Sequence, residues 1–476
     1  MKILILILLI ISSGPIVAQR AVSFDEALAT MLDNNRALKG AQYGVDAAND
    51  ELRAARGLRS PRLELMGGYV LMQHDVDTDL TGAKGVVTTS LNDMIKDGVS
   101  AGIITPDIAS LLSAGLAPIS SLDWRYTIQK RSFGTVGLSL TAPIYTGGRI
   151  NIANRAAKLE YEASIYELNA TQSALLTELV ERYFGVILLR NVVTLRRELV
   201  DGVQKHLDDA IAMEQEGILA HSAILYLQYR KSEAERDLAE AESKLEVATR
   251  SLMTTMGVDE VVNPNGKLFI YDDIYSIDYY IDESFKLNPI LLSAYTDLNL
   301  AHEGVKLSRA ALLPEVVAMG GAALYSHNLT DIVPRWAVGV GVNMTLFDGL
   351  GKERRYRAAK MNEKKVVELV ENAKDNIVLL VEKEYYAVIN ALTSIEANNR
   401  SREFAEDYLN STYEGFREGV VSSADLVDAR IEYTASGIEL LNAAYQYVLS
   451  LARLLEAAGL SAEFVDYYNK GVEINV

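Results

Sequence analysis

The sequence predicts a mainly α-helical chain with a small membrane-embedded β part, arranged as two tandem repeats. Three observations predict it. Sliding the chain against itself by 202 places lays Ile144-Tyr145-Thr146-Gly147 on Leu346-Phe347-Asp348-Gly349, Tyr183-Phe184 on Tyr385-Tyr386 and Gly257 on Gly459. Two segments of roughly 65 residues contain no proline and carry apolar residues at helical spacing. Four shorter segments alternate apolar and small or polar residues, the period of a β-strand with one apolar face.

From the N-terminus, Met1-Lys2 precedes an apolar run from Ile3 to Ile11, then Ser12, Ser13, Gly14, Pro15 and small residues to Ala18 or Gln19. This reads as a secretory signal peptide over residues 1–19, because the apolar run is about half the ~20 residues of a membrane-spanning helix. The first repeat occupies residues 20–257. A helix is predicted over Phe24 to Arg59, stopping before Pro61, which cannot continue it. A strand follows over Arg62 to Met72, with Leu63, Leu65, Tyr69 and Leu71 on one face. Upstream of the 202-place register the offset becomes about 253. The difference is an insertion between about Gln73 and Lys130, rich in Gly, Thr, Ser and Asp, read as a long loop with one short helix around Ile103 to Leu116.

The second strand places Val136, Leu138 and Leu140 outward and Thr135, Gly137, Ser139 and Thr141 inward. From Asn151 to about Glu216 runs the first long helix, about 100 Å at 1.5 Å per residue. It turns at Gly217 and returns through about 36 residues to Gly257. Residues 258–280, with Asn263-Pro264-Asn265-Gly266 and a tyrosine-rich acidic run, form a linker expected to pack with the tail, residues 460–476, as an equatorial belt.

The second repeat, residues 281–459, has the same order. A helix is predicted over Glu283 to Leu312, a strand over Glu315 to Tyr325, and a strand over Arg335 to Phe347. In that last strand Trp336, Val338, Val340, Val342, Met344 and Leu346 share one face, and Ala337, Gly339, Gly341, Asn343 and Thr345 the other. A long helix from Gly351 to Glu418 turns at Gly419. Strands of about ten residues fit a tilted transmembrane β-strand with lipid on one side and a wet lumen on the other. A half-buried antiparallel sheet in a soluble sandwich alternates in the same way. Four strands cannot close a barrel, and open edges are not tolerated in hydrocarbon, so a membrane reading requires further copies of the chain.

Composition narrows function. The chain has 46 basic and 64 acidic residues, a net charge of −18 and no cysteine. That excludes disulfides, thiol chemistry and lipid attachment through a cysteine, and disfavours nucleic acid as a partner. The five histidines His74, His206, His221, His302 and His327 are scattered, with no pair at metal-ligand spacing. Gly349-Leu350-Gly351-Lys352 lacks phosphate-loop spacing, with Glu353 where Ser or Thr is needed, and no nucleophile elbow appears. No enzyme, cofactor or metal is expected.

The segment Phe416-Arg417-Glu418-Gly419-Val420-Val421-Ser422-Ser423-Ala424-Asp425-Leu426-Val427-Asp428-Ala429 resembles the tip pattern of the TolC-like outer membrane efflux proteins, an aromatic, a glycine, then Asp-Val/Leu-x-Asp-Ala. With the leader, hairpins, long helices and tandem repeat, the similarity covers about Phe24 to Gly459. The resemblance implies a long helical barrel continuous with a 12-stranded trimeric β-barrel, four strands per protomer. It also implies an outer-membrane location reaching into the periplasm, and a periplasmic adaptor and inner-membrane transporter as partners.

Under that resemblance Asp425 and Asp428 form the pore constriction, and Gly217, Phe416 and Gly419 the tip, gate and adaptor-docking region. Spacing of three puts both carboxylates on one helix face. Trp336, Val338, Val340, Val342, Leu138 and Leu140 are the lipid-facing strand residues. Val421 stands where the resemblance implies a basic residue latching the closed tip, and the first turn, Glu216 to Ile224, lacks the carboxylates. The function implied is a passive exit duct of a tripartite efflux pump for small molecules. The exit duct of a type I protein secretion system shares the fold, and a poreless periplasmic coiled-coil scaffold is the alternative of another class.

Overall fold

The computed structural model describes residues 20–474, so the signal peptide read over residues 1–19 lies outside the described residues. In chain order the first part comprises β1 (Arg20–Val22), α1 (Phe24–Asn34), α2 (Arg36–Gly57), β2 (Arg62–Leu71), β3 (Val76–Asp79), α3 (Thr81–Ser100), α4 (Pro106–Ser121), β4 (Arg125–Gln129), β5 (Ser132–Tyr145), α5 (Arg149–Gln215) and α6 (His221–Met256). Then come β6 (Val262–Pro264), β7 (Phe269–Ile270), α7 (Ile277–Leu287), α8 (Pro289–Ala310), β8 (Glu315–His327), β9 (Trp336–Asn343), α9 (Gly351–Arg417), α10 (Ser423–Ala458), α11 (Phe464–Lys470) and β10 (Val472–Glu473). The two long helices have 67 residues each and their return helices 36 each.

The chain divides into two compact units, one of residues 54–153 and 306–356, the other of the remaining described residues. The first unit holds a four-stranded antiparallel sheet in the order β2-β5-β8-β9. Its register aligns Leu63 with Leu140 and Leu65 with Leu138, then Leu140 with Gly320 and Leu138 with Ala322, then Gly320 with Val338 and Ala322 with Trp336. Directly opposed residues share a face, so one apolar face runs unbroken across all four strands. The opposite face carries Glu64, Ser139, Thr141, Gly321, Gly339 and Asn343.

Strand β9 stops at Asn343, short of the Phe347 that alternation alone predicts. Asn343 pairs with Glu315, the first residue of β8, and Pro314 before it has no N–H to extend the ladder. Another difference lies in the insertion, which is no loop. It is a helical hairpin, α3 and α4, standing on the β3–β4 ribbon. Helix α3 escapes a sequence reading because Gly82, Gly85 and Gly98 and a β-branched run from Val86 to Thr89 lower its intrinsic propensity.

The helix read as continuous over Phe24 to Arg59 is broken at Asn35, and its counterpart at Asn288. Asn35 Oδ1 accepts from the N–H groups of Ala37 and Leu38, while Nδ2 donates to the Thr255 carbonyl at 2.9 Å. Asn288 repeats this with Ile290, Leu291 and the Ala457 carbonyl at 2.8 Å. Each asparagine therefore caps a helix start and ties it to the end of a return helix, α6 or α10. The residue offsets are those of the sequence repeat.

The main core of the helical unit gathers Phe24, Tyr183, Phe184, Tyr280, Tyr447 and Phe464, all fully buried. The 258–280 segment enters it directly: Tyr447 Oη donates to the Tyr271 carbonyl, and β7 pairs with β10 of the tail. Replacing Asn35 or Asn288 by Ala should each cost about 2 kcal/mol, a cap plus a buried hydrogen bond. The Asp variants, which keep the acceptor but lose the donor, should lose less. Denaturant unfolding followed by circular dichroism checks this, and equal losses for Ala and Asp would contradict it.

Candidate functional site

Two turns and one sheet face carry the candidate residues. At the first turn Gly217 adopts φ +74° between α5 and α6, and at the second Gly419 adopts φ +76° between α9 and α10. Left-handed backbone favours glycine, which accounts for its place at both turns. No neighbour crowds either glycine, and the residues that follow, Ile218 and Val420, are 71% and 77% exposed. Phe416 is buried with Leu409, Leu426 and Ala429, so its ring packs the turn from inside rather than presenting a surface.

Helix α10 starts on a cap. Ser422 Oγ accepts from the Asp425 N–H at 3.2 Å and donates to Asp425 Oδ2 at 2.6 Å, a short-range pairing that ends the turn and begins the helix. Asp425 and Asp428 are both exposed, on the same face of α10, while the intervening Leu426 and Val427 are buried. Asp428 is not free: Arg230 of α6 reaches it at 2.5 Å and Tyr226 Oη donates to it at 3.1 Å. Arg230 also bonds Glu233 at 3.1 Å.

Thus Arg230 supplies a basic partner from the other helical hairpin, where the sequence has Val421 in the place of a basic residue. Sequence reasoning did not find this pair, whose members lie 198 residues apart. A signal existed. The 202-place offset lays Tyr226 on Asp428, and these two repeat-equivalent residues are bonded to each other.

Two residues further, Arg430 grips the other helix of the first hairpin. Its Nε donates to His206 Nε2 of α5 at 3.0 Å, across Gly202, where a Cβ would sit 2.6 Å from the guanidinium. Since Nε2 accepts, the His206 proton sits on Nδ1, which is buried without a hydrogen-bond partner. Burial, then the charges of Arg430 and Lys205, push the His206 pKa down to about 4.

On the sheet, Trp336, Val338, Val340 and Val342 are 65–78% exposed, Leu140 is 45% exposed and Leu138 half-buried. Among the described residues no helix or loop buries Trp336, Val338, Val340 or Val342. Among the described residues no helix is long and apolar enough to cross a membrane, and no cluster of metal-ligating side chains occurs.

A family model described as outer membrane efflux protein matches residues 27–258 and 280–460. The chain is 23% identical over 431 residues to the outer membrane efflux protein BepC of Brucella suis, covering 88% of this chain and 92% of that one. It is 21% identical over 307 residues to the outer membrane protein TolC of Escherichia coli, 60% and 62% of the two chains. Among solved structures, a membrane protein from Pseudomonas aeruginosa superposes with a TM-score of 0.73 at 17% identity, over 92% of each chain. The CmeC outer membrane channel of Campylobacter jejuni gives 0.72 at 15%, over 94% of this chain and 89% of CmeC. The fold is that of these channels.

A group held neutral in the fold and protonated in the unfolded chain withdraws stability as pH falls. For His206 the loss begins near its ordinary value of 6.5 and is complete near 4. His206→Gln, which keeps an acceptor for Arg430, should lose less thermal stability than the unsubstituted protein between pH 7 and pH 5. Equal losses, read by circular dichroism melting, would remove His206 from the account.

Proposed function

Because the chain belongs to the outer membrane efflux protein family, we propose that it is the passive exit duct of a tripartite efflux pump that carries small molecules across the periplasm and outer membrane. Family membership makes it an outer-membrane efflux channel extending into the periplasm, not an enzyme. A pore rather than a poreless scaffold is supported by one observation, the exposed apolar face that stays in register across four strands while β2 and β9 keep an unpaired outer edge. A poreless periplasmic scaffold would leave such a face in water, at a cost of about 25 cal/mol for each Å² of apolar surface.

In the assembly we infer, three copies contribute twelve strands, β2 of each pairing with β9 of the next. Trp336, Val338, Val340, Val342, Leu138 and Leu140 then meet outer-membrane lipid. The glycine turns form the periplasmic tip, where exposed Ile218 and Val420 offer a docking surface to the helical hairpin of an adaptor bound to an inner-membrane transporter. Asp425 and Asp428 ring the narrowest point. With Asp428 neutralised by Arg230, Asp425 carries most of the ring's free charge, and its field favours cations.

Planar-bilayer recording tests the ring. Discrete, cation-preferring conductance is expected, reduced more by Asp425→Asn than by Asp428→Asn and abolished as a preference in the double variant. Arg230→Ala should raise cation preference by freeing Asp428. Selectivity that is unchanged in the double variant would overturn the assignment.

A further inference from the structure

The insertion between β2 and β5 is a folded body that cannot be complete alone. Among the described residues, neither α3 nor α4 has a buried residue. Ile95, Ile104, Leu116 and Ile119 are only half-covered. Outward, Val86 is 67% exposed, Met94 69%, Ile103 79% and Leu111 73%. A two-helix hairpin with apolar stripes on both members is marginal in water without a covering surface.

The charge on the hairpin points away from a membrane surface. Residues 81–121 contain five charged side chains, three of them acidic. Both lysines are engaged: Lys84 donates to the Leu122 carbonyl at 2.7 Å and Lys96 faces Asp93 at 3.9 Å. Helices that lie on anionic lipid carry a strongly basic face, which this hairpin lacks.

Strand order supplies the occupant. β2 runs upward to Leu71 and leads directly into the insert, while β9 runs downward from Trp336, after the turn 328–335. The base of the insert is tied to the near side of that turn in its own chain, where Gln129 Nε2 donates to the Asn328 carbonyl at 2.7 Å and Gln129 Oε1 accepts from Thr330 N–H at 2.9 Å. The far side of the turn is open: Ile332 is 70% exposed, Val333 47%, and the Arg335 side chain has no ion-pair partner among the described residues. If β2 of one copy pairs antiparallel with β9 of another, the insert of the first stands beside the turn of the second. Exposed Asp77 and Val76 on β3 then stand at the same rim as Arg335 and Val333.

From this juxtaposition we infer that residues 76–129 dock on the 328–335 turn of a second copy of the same chain, as an interlocking collar on the outer rim of the barrel. The inference rests on the barrel reading and adds a contact outside the membrane-spanning strands. It assigns the insertion a role in holding copies together, with apolar side chains in the contact and the Asp77–Arg335 pair setting its register.

The absence of cysteine makes the test clean. Val76→Cys combined with Val333→Cys, oxidised in outer-membrane vesicles, should give disulfide-linked dimers and trimers on a non-reducing denaturing gel, and neither single variant should. A control pair at the strand ends, Leu71→Cys with Trp336→Cys, reports the barrel seam alone. Cross-linking of the control without the insert pair overturns the collar and leaves the duct standing; failure of both removes the barrel reading. At Leu111→Cys, slow labelling by a water-soluble maleimide that accelerates on dissociation of the oligomer is expected. Fast labelling in the intact assembly, or quenching of a fluorophore at that site by nitroxide lipids, would place the hairpin in water or lipid and sink the inference.

Discussion

Every backbone N–H and C=O that enters hydrocarbon must find a partner within protein. In this chain four strands satisfy one another internally, and the outer edges of β2 and β9 do not. That shortage makes the chain depend on its own copies, because each copy offers the edge another lacks.

Duplication organises the helical unit. Asn35 and Asn288 occupy equivalent places and make equivalent bonds, each to the last turn of a return helix. The repeat is thus written in hydrogen bonds as well as in apolar spacing. Near the turns the two halves diverge, and the divergence is chemical. Helix α10 holds α6 through Asp428 and α5 through Arg430, so one helix of the second half grips both helices of the first. An ion pair and a hydrogen bond to a buried imidazole thus tie α10 to the first helical hairpin.

Much of this was legible in the residues. The alternation from Trp336 to Val342, and the two long proline-free runs ending at Gly217 and Gly419, are local patterns with a single sensible geometry. The breaks at Asn35 and Asn288 were harder, although Asn288-Pro289 contains a cap followed by a residue suited to a first helical position. The insert misled because its glycines and β-branched residues argue against helix, and a tertiary contact decides instead. Arg230 was invisible for a different reason. A long-range ion pair has no spacing, and only the internal alignment hinted that Tyr226 and Asp428 lie opposite one another. The aspartates at 425 and 428 were legible as one face of a helix, but the sequence could not tell that one is bonded to its own cap and the other to an arginine.

The central claim is that alternate residues of β9 face lipid and water. It is most directly tested by nitroxide scanning of positions 336 to 343, one cysteine at a time, in liposomes. The account predicts a two-residue period, with oxygen accessibility highest at 336, 338, 340 and 342 and accessibility to a water-soluble nickel chelate highest at the positions between. Uniform access to the chelate along the strand would contradict it.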